Sequence, residues 1–172
     1  MAAAATAQAE AFARLAVEET GYGIVADKIQ KNLFASQKVY SFIRPMRTVG
    51  VIARHETTRV VEIAEPFDVV AAVVPSTNPT STAIYKILIA IKARCAVVLS
   101  PHPSAVKCIT RVAEVMDEAA RRAGAPKGAI NWMTTVTLEG TQELMKHRDV
   151  AVILATGGMG LVRAAYSAGK PA

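Results

Sequence analysis

The sequence predicts an α/β fold in which helices cover a parallel sheet. Hydrophobic residues make up 52% of the chain while aromatic residues make up only 5%, a composition rich in Ala, Val, Ile and Leu that suits helices packed on such a sheet. The stretch from Val69 to Pro75 carries no charge and has the continuous apolar character of a strand buried on both faces. Beyond it, strand-like and helix-like runs alternate, which indicates right-handed crossovers and a Rossmann-like sheet.

This alternation predicts four strands and four helices in residues 67–172. The predicted strands are Val69 to Val74, Cys95 to Ser100, Ile130 to Met133 and Val150 to Leu154. The predicted helices run from about Ala83 to Ala93, Ser104 to Ala123, Thr141 to Lys146 and Met159 to Ser167. Either Ser81 or Thr82 can cap the first helix, and Asn131 to Met133 fits an irregular edge strand equally well.

Residues 1–47 are predicted to be helical. An amphipathic pattern, with Phe12, Leu15 and Ala16 on one face, runs from Ala2 to about Glu19 and ends before Gly21 and Gly23. A second helix is predicted from about Ile24 to Ala35. Because no titratable cluster converges there, we interpret it as a packing and interface element.

Residues 48–66 are predicted to form a β-hairpin outside the main sheet. Two short β-rich pieces, Val49 to Ala53 and Arg59 to Ala64, are separated by polar residues that suit a turn. His55 lies in that polar segment, and we interpret it as solvated rather than as a ligand or a base.

The charge distribution excludes two classes of partner. The chain has a net charge of +6, but its basic residues are scattered, with no dense run and no interleaved aromatics for binding nucleic acid. Such a balance suits the attraction of phosphorylated small molecules. Lys86, Lys92 and Arg94 interrupt the longest apolar region before it is long enough to span a membrane.

The two cysteines suggest neither a metal site nor a disulfide. Cys95 and Cys108 lack metal-ligand spacing, and the N-terminus lacks the features of a secretory signal. We interpret both as reduced core thiols of a cytoplasmic protein, and we predict no metal.

Three strand exits carry ligand-suited loops, which are Pro75 to Pro79, Ser100 to Ser104 and Ala155 to Gly160. Because open parallel sheets bind ligands outside the carboxyl ends of their strands, we expect one site there. Glycines at the third exit allow a phosphate to approach the backbone N–H groups of a helix N-terminus, although glycines also serve in simple tight turns.

These loops resemble those of the CoA-acylating branch of the aldehyde dehydrogenase superfamily. The motifs Pro75 to Thr82, Ser100 to Pro103 and Ile153 to Gly160 occur in the family's order and spacing, and Tyr166 to Ala172 also matches. The resemblance implies an oxidoreductase that converts an aldehyde to acyl-CoA with NAD or NADP. It also implies small aldehydes and CoA as partners and a homo-oligomer in which the hairpin is the oligomerisation element.

The resemblance further assigns roles residue by residue. Asn78 matches the asparagine whose amide helps to form an oxyanion hole, although an asparagine before a proline is also a common turn former. The cofactor contacts that it implies are Pro75, Ser76 and Thr77 at the nicotinamide, Ser100, His102 and Pro103 at the adenosine, and Thr156, Gly157 and Gly158 at the pyrophosphate. Gly160 would let the following helix pack closely.

The family's nucleophilic cysteine is not matched here. It comes from a catalytic domain downstream of the last motif, and neither Cys95 nor Cys108 has its position. We therefore expect an N-terminal part of the enzyme, in which residues 67–172 are the nucleotide-binding domain, that does not turn over alone. Two alternatives remain: a stand-alone, non-catalytic nucleotide-binding protein, and a non-acylating aldehyde dehydrogenase, which the loop from Ser100 to Pro103 disfavours.

Overall fold

The computed structural model describes residues 1–172 and contains six strands and eight α-helices. The strands are β1 (Gly50–His55), β2 (Val60–Ala64), β3 (Val69–Val74), β4 (Ala96–Pro101), β5 (Ile130–Trp132) and β6 (Val150–Ala155). The helices are α1 (Ala2–Ala7), α2 (Ala9–Thr20), α3 (Val25–Leu33), α4 (Tyr40–Ile43), α5 (Pro79–Lys92), α6 (Val106–Arg122), α7 (Leu138–Lys146) and α8 (Met159–Tyr166). A π-helical stretch (Phe34–Val39) joins α3 to α4, and a 3-10 turn (Pro103–Ala105) precedes α6.

The central sheet has four parallel strands in the order β5-β4-β3-β6. This confirms the α/β class and all four predicted strands. From β3 the chain builds outward through β4 and β5, then returns to add β6 on the other side of β3. The strand order therefore reverses between β3 and β6, which is where open α/β sheets form a crevice for ligands.

Strand β3 contributes to a hydrophobic core on each face of the sheet. Val70, Ala72 and Val74 belong to the larger core, which also includes residues of α1, α2, α5 and α6. Ala71 and Val73 belong to the smaller core with residues of β6, α7 and α8. Because successive side chains of a strand point to opposite faces, a strand covered on both sides needs the unbroken apolar run seen in the sequence.

Two helices begin earlier than predicted. Helix α5 starts at Pro79 rather than at Ala83, because a proline suits the first helical position, where its fixed φ is helical and its missing N–H is not needed. Helix α7 starts at Leu138 rather than at Thr141, because the Thr137 hydroxyl accepts a hydrogen bond from the Gly140 N–H at 2.9 Å.

The N-terminal helices also differ from the prediction. The first predicted helix is interrupted at Gln8, which separates α1 from α2, and α2 ends as expected at Gly21 in the left-handed conformation. The second predicted helix does not end at Ala35 but continues through the π-helical stretch into α4. Ser36 is buried in that stretch, and its hydroxyl accepts a hydrogen bond from Thr6 at 2.9 Å, so packing against α1 favours continued helix there.

The hairpin of β1 and β2 is antiparallel and separate from the central sheet, as predicted. The side chain of His55, predicted to be solvated, is half-exposed; the residue ends β1, and its Nε2 lies 2.6 Å from Glu62 Oε1 of β2. His55 pairs with Val60 and Glu62 pairs with Ala53, so the two side chains are diagonal neighbours across the hairpin, which the sequence alone does not show. None of the helices combines the length and the apolarity that crossing a membrane requires.

Candidate functional site

A cleft of about 590 Å³ lies at the carboxyl edge of the sheet. It brings together the exits of β3, β4 and β6, the three loops singled out in the sequence. The predicted site residues that line it are Pro75, Ser76, Thr77, His102, Pro103, Thr156, Gly157 and Gly158. Two main-chain hydrogen bonds hold the loops together, from His102 N to Val74 O at 2.9 Å and from Thr156 N to Val73 O at 3.3 Å.

Sequence reasoning missed one wall of this cleft. Val136, Thr137 and Leu138, which follow β5, line it together with Leu161 of α8. The expectation that ligand loops meet at one edge of a parallel sheet applies equally to the β5 exit, so the rule could have found this wall. The sequence prediction begins this helix at Thr141 and therefore does not show the capping role of Thr137.

Lys86 of α5 links the two strands whose exits flank the cleft. Its Nζ donates to Val73 O at 2.7 Å and to Leu154 O at 2.6 Å, so it joins β3 to β6 where the strand order reverses. Its side chain is 1% exposed, and burial lowers the pKa of its amine to about 7. A neutral amine has two N–H groups, which match the two carbonyl acceptors. Tyr85 adds a hydroxyl contact to Thr156 at 3.3 Å.

The glycine turn opens α8 without obstructing the cleft. Gly158 is the N-cap residue with φ −70°, and a Cβ added there would meet no atom within 4 Å. A Cβ at Gly157 would lie 2.6 Å from Leu161 Cδ2, so a larger residue at this position would force the Leu161 side chain to shift. The first N–H bonded within the helix belongs to Val162, which donates to Gly158 O at 3.2 Å, and the preceding N–H groups are free to bind an anion.

Two predicted residues have surroundings that differ from the expectation. The Ser100 side chain is fully buried, and its hydroxyl lies 2.9 Å from Thr141 Oγ1, which donates to Thr137 O at 3.0 Å. Ser100 is therefore linked through Thr141 to Thr137, which lines the cleft. The contact of Ser100 with a cofactor stays a prediction. A Cβ at Gly160 would meet no atom within 4 Å, so the close helix packing expected there is absent from this chain.

Asn78 lies on the far side of the β3 exit loop. It lines a second groove, of about 670 Å³, between α5 and the helical stretch that begins with α3. Lys31 Nζ donates to Asn78 Oδ1 at 3.0 Å, and Lys28 Nζ donates to the main-chain oxygen of Thr77 at 2.8 Å. Thr77 lines the cleft and Asn78 lines the groove, so this loop separates the two cavities.

The chain matches the aldehyde dehydrogenase family over residues 1–171. It belongs to that family. This aldehyde dehydrogenase chain is 47% identical to the bifunctional aldehyde-alcohol dehydrogenase AdhE of Escherichia coli (strain K12), over 99% of its own length and 19% of the relative's. It thus spans about a fifth of that relative and corresponds to an N-terminal part of the longer homologues.

The solved structures that resemble this chain include acylating aldehyde dehydrogenases. The chain superposes on an acetylating aldehyde dehydrogenase from Geobacillus thermoglucosidasius with a TM-score of 0.97 at 60% identity, covering 99% of this chain and 38% of that one. An engineered glycolyl-CoA reductase with bound NADP⁺ superposes with a TM-score of 0.81 at 29% identity, over 94% of this chain and 36% of that one. The homologues are acylating aldehyde dehydrogenases, which are oxidoreductases.

Neither thiol of this aldehyde dehydrogenase chain is an accessible nucleophile. Cys95 and Cys108 are free and buried, as predicted. Burial raises the pKa of the Cys108 thiol, and the neighbouring Glu19 carboxylate raises it further. The Glu19 carboxylate also accepts hydrogen bonds from the N–H groups of Lys107 and Cys108, at 2.8 and 2.7 Å. A reactive cysteine needs the opposite environment, one that is exposed and electropositive.

Proposed function

We propose that this chain supplies the nicotinamide-nucleotide cleft and one oxyanion donor of an enzyme that oxidises an aldehyde to acyl-CoA. The balanced reaction consumes aldehyde, CoA and NAD(P)⁺ and yields acyl-CoA, NAD(P)H and a proton. The observation that carries the proposal is the convergence of the Pro75, His102 and Gly158 loops on one cleft at the strand-order reversal.

The residues of the cleft fit a dinucleotide. No acidic side chain lines it, so no carboxylate repels a pyrophosphate. The N–H groups without a main-chain partner at the start of α8 adjoin the turn of Gly157 and Gly158. Loop Pro75 to Thr77 would hold the nicotinamide, and His102 and Pro103 would contact the adenosine. Bound NAD(P)⁺ accepts the hydride in this chemistry, and either NAD or NADP is compatible with the site.

Asn78 would stabilise the negative oxygen that develops when a thiolate adds to the aldehyde carbonyl, and again when CoA attacks the thioester. Asn78 lies on the loop that separates the cleft from the groove. This position supports the role, because the aldehyde would reach Asn78 from the groove while the cofactor occupies the cleft. The thiolate would come from the rest of the enzyme, since Cys95 and Cys108 are buried.

The proposal includes assembly and location. Ile52, Val60 and Ile63 leave much of their apolar surface exposed on the hairpin, which supports its role as an oligomerisation element of a homo-oligomer. Two free thiols suit a reducing cytoplasmic compartment. Nothing in the cleft offers a metal site, and no group of three or more His, Cys, Asp or Glu side chains is placed to hold a metal ion.

Product analysis tests this function. The longer enzyme that contains this chain is mixed with acetaldehyde and NAD⁺, with and without CoA, and the products are identified by mass spectrometry. The proposal requires NADH formation together with acetyl-CoA in the presence of CoA. Release of acetate alone would show the non-acylating alternative, and turnover by residues 1–172 alone would contradict the assignment of the nucleophile to another part of the enzyme.

A further inference from the structure

Helix α3 places two lysines on the loop that carries Asn78. Lys28 and Lys31 are one turn apart and therefore share a face of the helix. Lys28 holds the backbone through Thr77 O at 2.8 Å, while Lys31 reaches the side chain of Asn78 at 3.0 Å. The oxyanion donor of the proposed function is thus held by a helix 47 residues earlier in the chain.

The chemistry of the contact fixes which end of the Asn78 amide faces Lys31. An ammonium group only donates hydrogen bonds, so its partner must be Oδ1 and not the NH₂ group. With the amide reversed, two donors would face each other. The Nδ2 group makes no hydrogen bond within the chain. Because no buried side-chain nitrogen or oxygen lacks a partner, Nδ2 is accessible from solvent, and its N–H groups are available to a ligand.

The side chain of Asn78 does not make the capping hydrogen bond that is usual at its position. Asn78 is the N-cap residue of α5, where an asparagine oxygen usually accepts a hydrogen bond from the second or third N–H of the helix, here that of Thr80 or Ser81. Its side chain makes no such bond. A local rule of helix capping is therefore overridden by Lys31, which is the kind of conflict that marks functional positions.

We propose that Lys31 is a positioning residue that keeps the Asn78 amide turned away from the α5 N-terminus, with its N–H groups directed to the reacting oxygen. The catalytic part of this inference rests on the proposed function. The ammonium also polarises the amide through Oδ1, which strengthens the N–H groups as donors. Without Lys31, the Asn78 oxygen is free to turn back and cap α5.

A double-mutant cycle in the longer enzyme tests the inference. Removing one oxyanion donor costs roughly 100-fold or more in kcat, and we expect Lys31→Met to lower kcat about 10-fold or more with little change in the KM for NAD⁺. In an Asn78→Ala background the same substitution should have no further effect, because Lys31 acts through Asn78. Lys31→Arg, which keeps a donor, should retain more activity than Lys31→Met.

Lys38→Met is the matched control, since Lys38 lines the same groove but its side chain has no hydrogen-bond partner. It should lower kcat much less than Lys31→Met. Equal losses from the two substitutions, or a full additional loss from Lys31→Met in the Asn78→Ala background, would overturn the inference in favour of a general effect of positive charge.

A second measurement on residues 1–172 does not depend on activity. The side-chain amide resonances of Asn78, identified by their loss in Asn78→Ala, should move in Lys31→Met and remain in place in Lys38→Met. Unchanged Asn78 resonances in Lys31→Met would overturn the inference. If the longer wild-type enzyme oxidises no aldehyde, the proposed function fails, while this measurement still decides whether Lys31 orients the amide.

Discussion

The Lys86 amine lies 2.6 Å from the main-chain oxygen of Leu154, across the boundary where the strand order of the sheet reverses. The same amine binds Val73 O of the neighbouring strand. A buried side chain of α5 thus joins the two paired strands whose exits carry the Pro75 loop and the glycine turn.

The pKa of Lys86 predicts a pH dependence of stability. It is lowered from 10.5 to about 7 in the folded chain, so between these values the unfolded chain binds more protons. The free energy of unfolding should rise with pH across this window, by up to about 1.4 kcal/mol per pH unit, and be flat below it. Lys86→Met should remove the part of this rise that comes from Lys86; Lys28, whose pKa burial also lowers, is present in both proteins.

Urea unfolding at pH 6.5 and 8.5, for wild type and Lys86→Met, measures the effect. The range stops there because the raised pKa of Cys108 makes folding less favourable once the unfolded thiol ionises. Wild type should gain roughly 1 to 2 kcal/mol more than the variant over this range. Parallel pH profiles would mean that the amine keeps an ordinary pKa in the folded chain.

The two glycines of the turn should respond differently to alanine. Gly157→Ala places a methyl group 2.6 Å from Leu161 Cδ2 and should reduce the free energy of unfolding by about 1 kcal/mol, because Leu161 must shift. Gly158→Ala meets no neighbour and should change it by less than about 0.5 kcal/mol. Chemical denaturation compares the two variants. Adding Leu161→Ala should reduce the cost of Gly157→Ala, and equal effects of the single substitutions would refute this account of the turn.

Glu19 caps α6 from another helix. Its two oxygens accept hydrogen bonds from the N–H groups of Lys107 and Cys108, and its charge suits the positive end of the helix dipole. Glu19→Ala should destabilise the chain by about 1 to 2 kcal/mol in thermal or urea unfolding. Glu18→Ala is the matched control, since Glu18 is its exposed neighbour and its side chain has no hydrogen-bond partner. A loss no greater than that of the control would contradict the capping role.

The central sheet and the cleft could be predicted because their signals are local. An uncharged run such as Val69 to Val74 has few explanations besides a buried strand, and the parallel-sheet rule then places the strand exits together. The family resemblance supplied roles for individual residues. The start of α5 is an equally local signal, but the prediction assigns Pro75 to Pro79 to a rigid loop and the cap to Ser81 or Thr82, whereas Asn78 is the N-cap and Pro79 begins the helix.

The contacts that orient the site are not local, and this is why they were missed. Lys86 looks in the sequence like a charge that interrupts an apolar helix, and only the carbonyls of β3 and β6 explain its burial. The orientation of Asn78 depends on Lys31, whose distance from it is set by how α3 packs on α5. Similarly, Ser100 is predicted to contact the cofactor, but it does not line the cleft, and its buried hydroxyl forms a hydrogen bond with the Thr141 hydroxyl.

The most direct test of the account is a calorimetric titration of residues 1–172 with NAD⁺ and NADH, beside the variants Gly158→Trp and Gly160→Trp. Both substitutions add the same side chain where a Cβ has open space, but only Gly158 lines the cleft. Wild type and Gly160→Trp should bind with similar affinity, and Gly158→Trp should lose binding because the indole fills the pyrophosphate turn. Binding that survives in a folded Gly158→Trp variant, or no binding by folded wild type, would contradict the nucleotide cleft proposed for this chain.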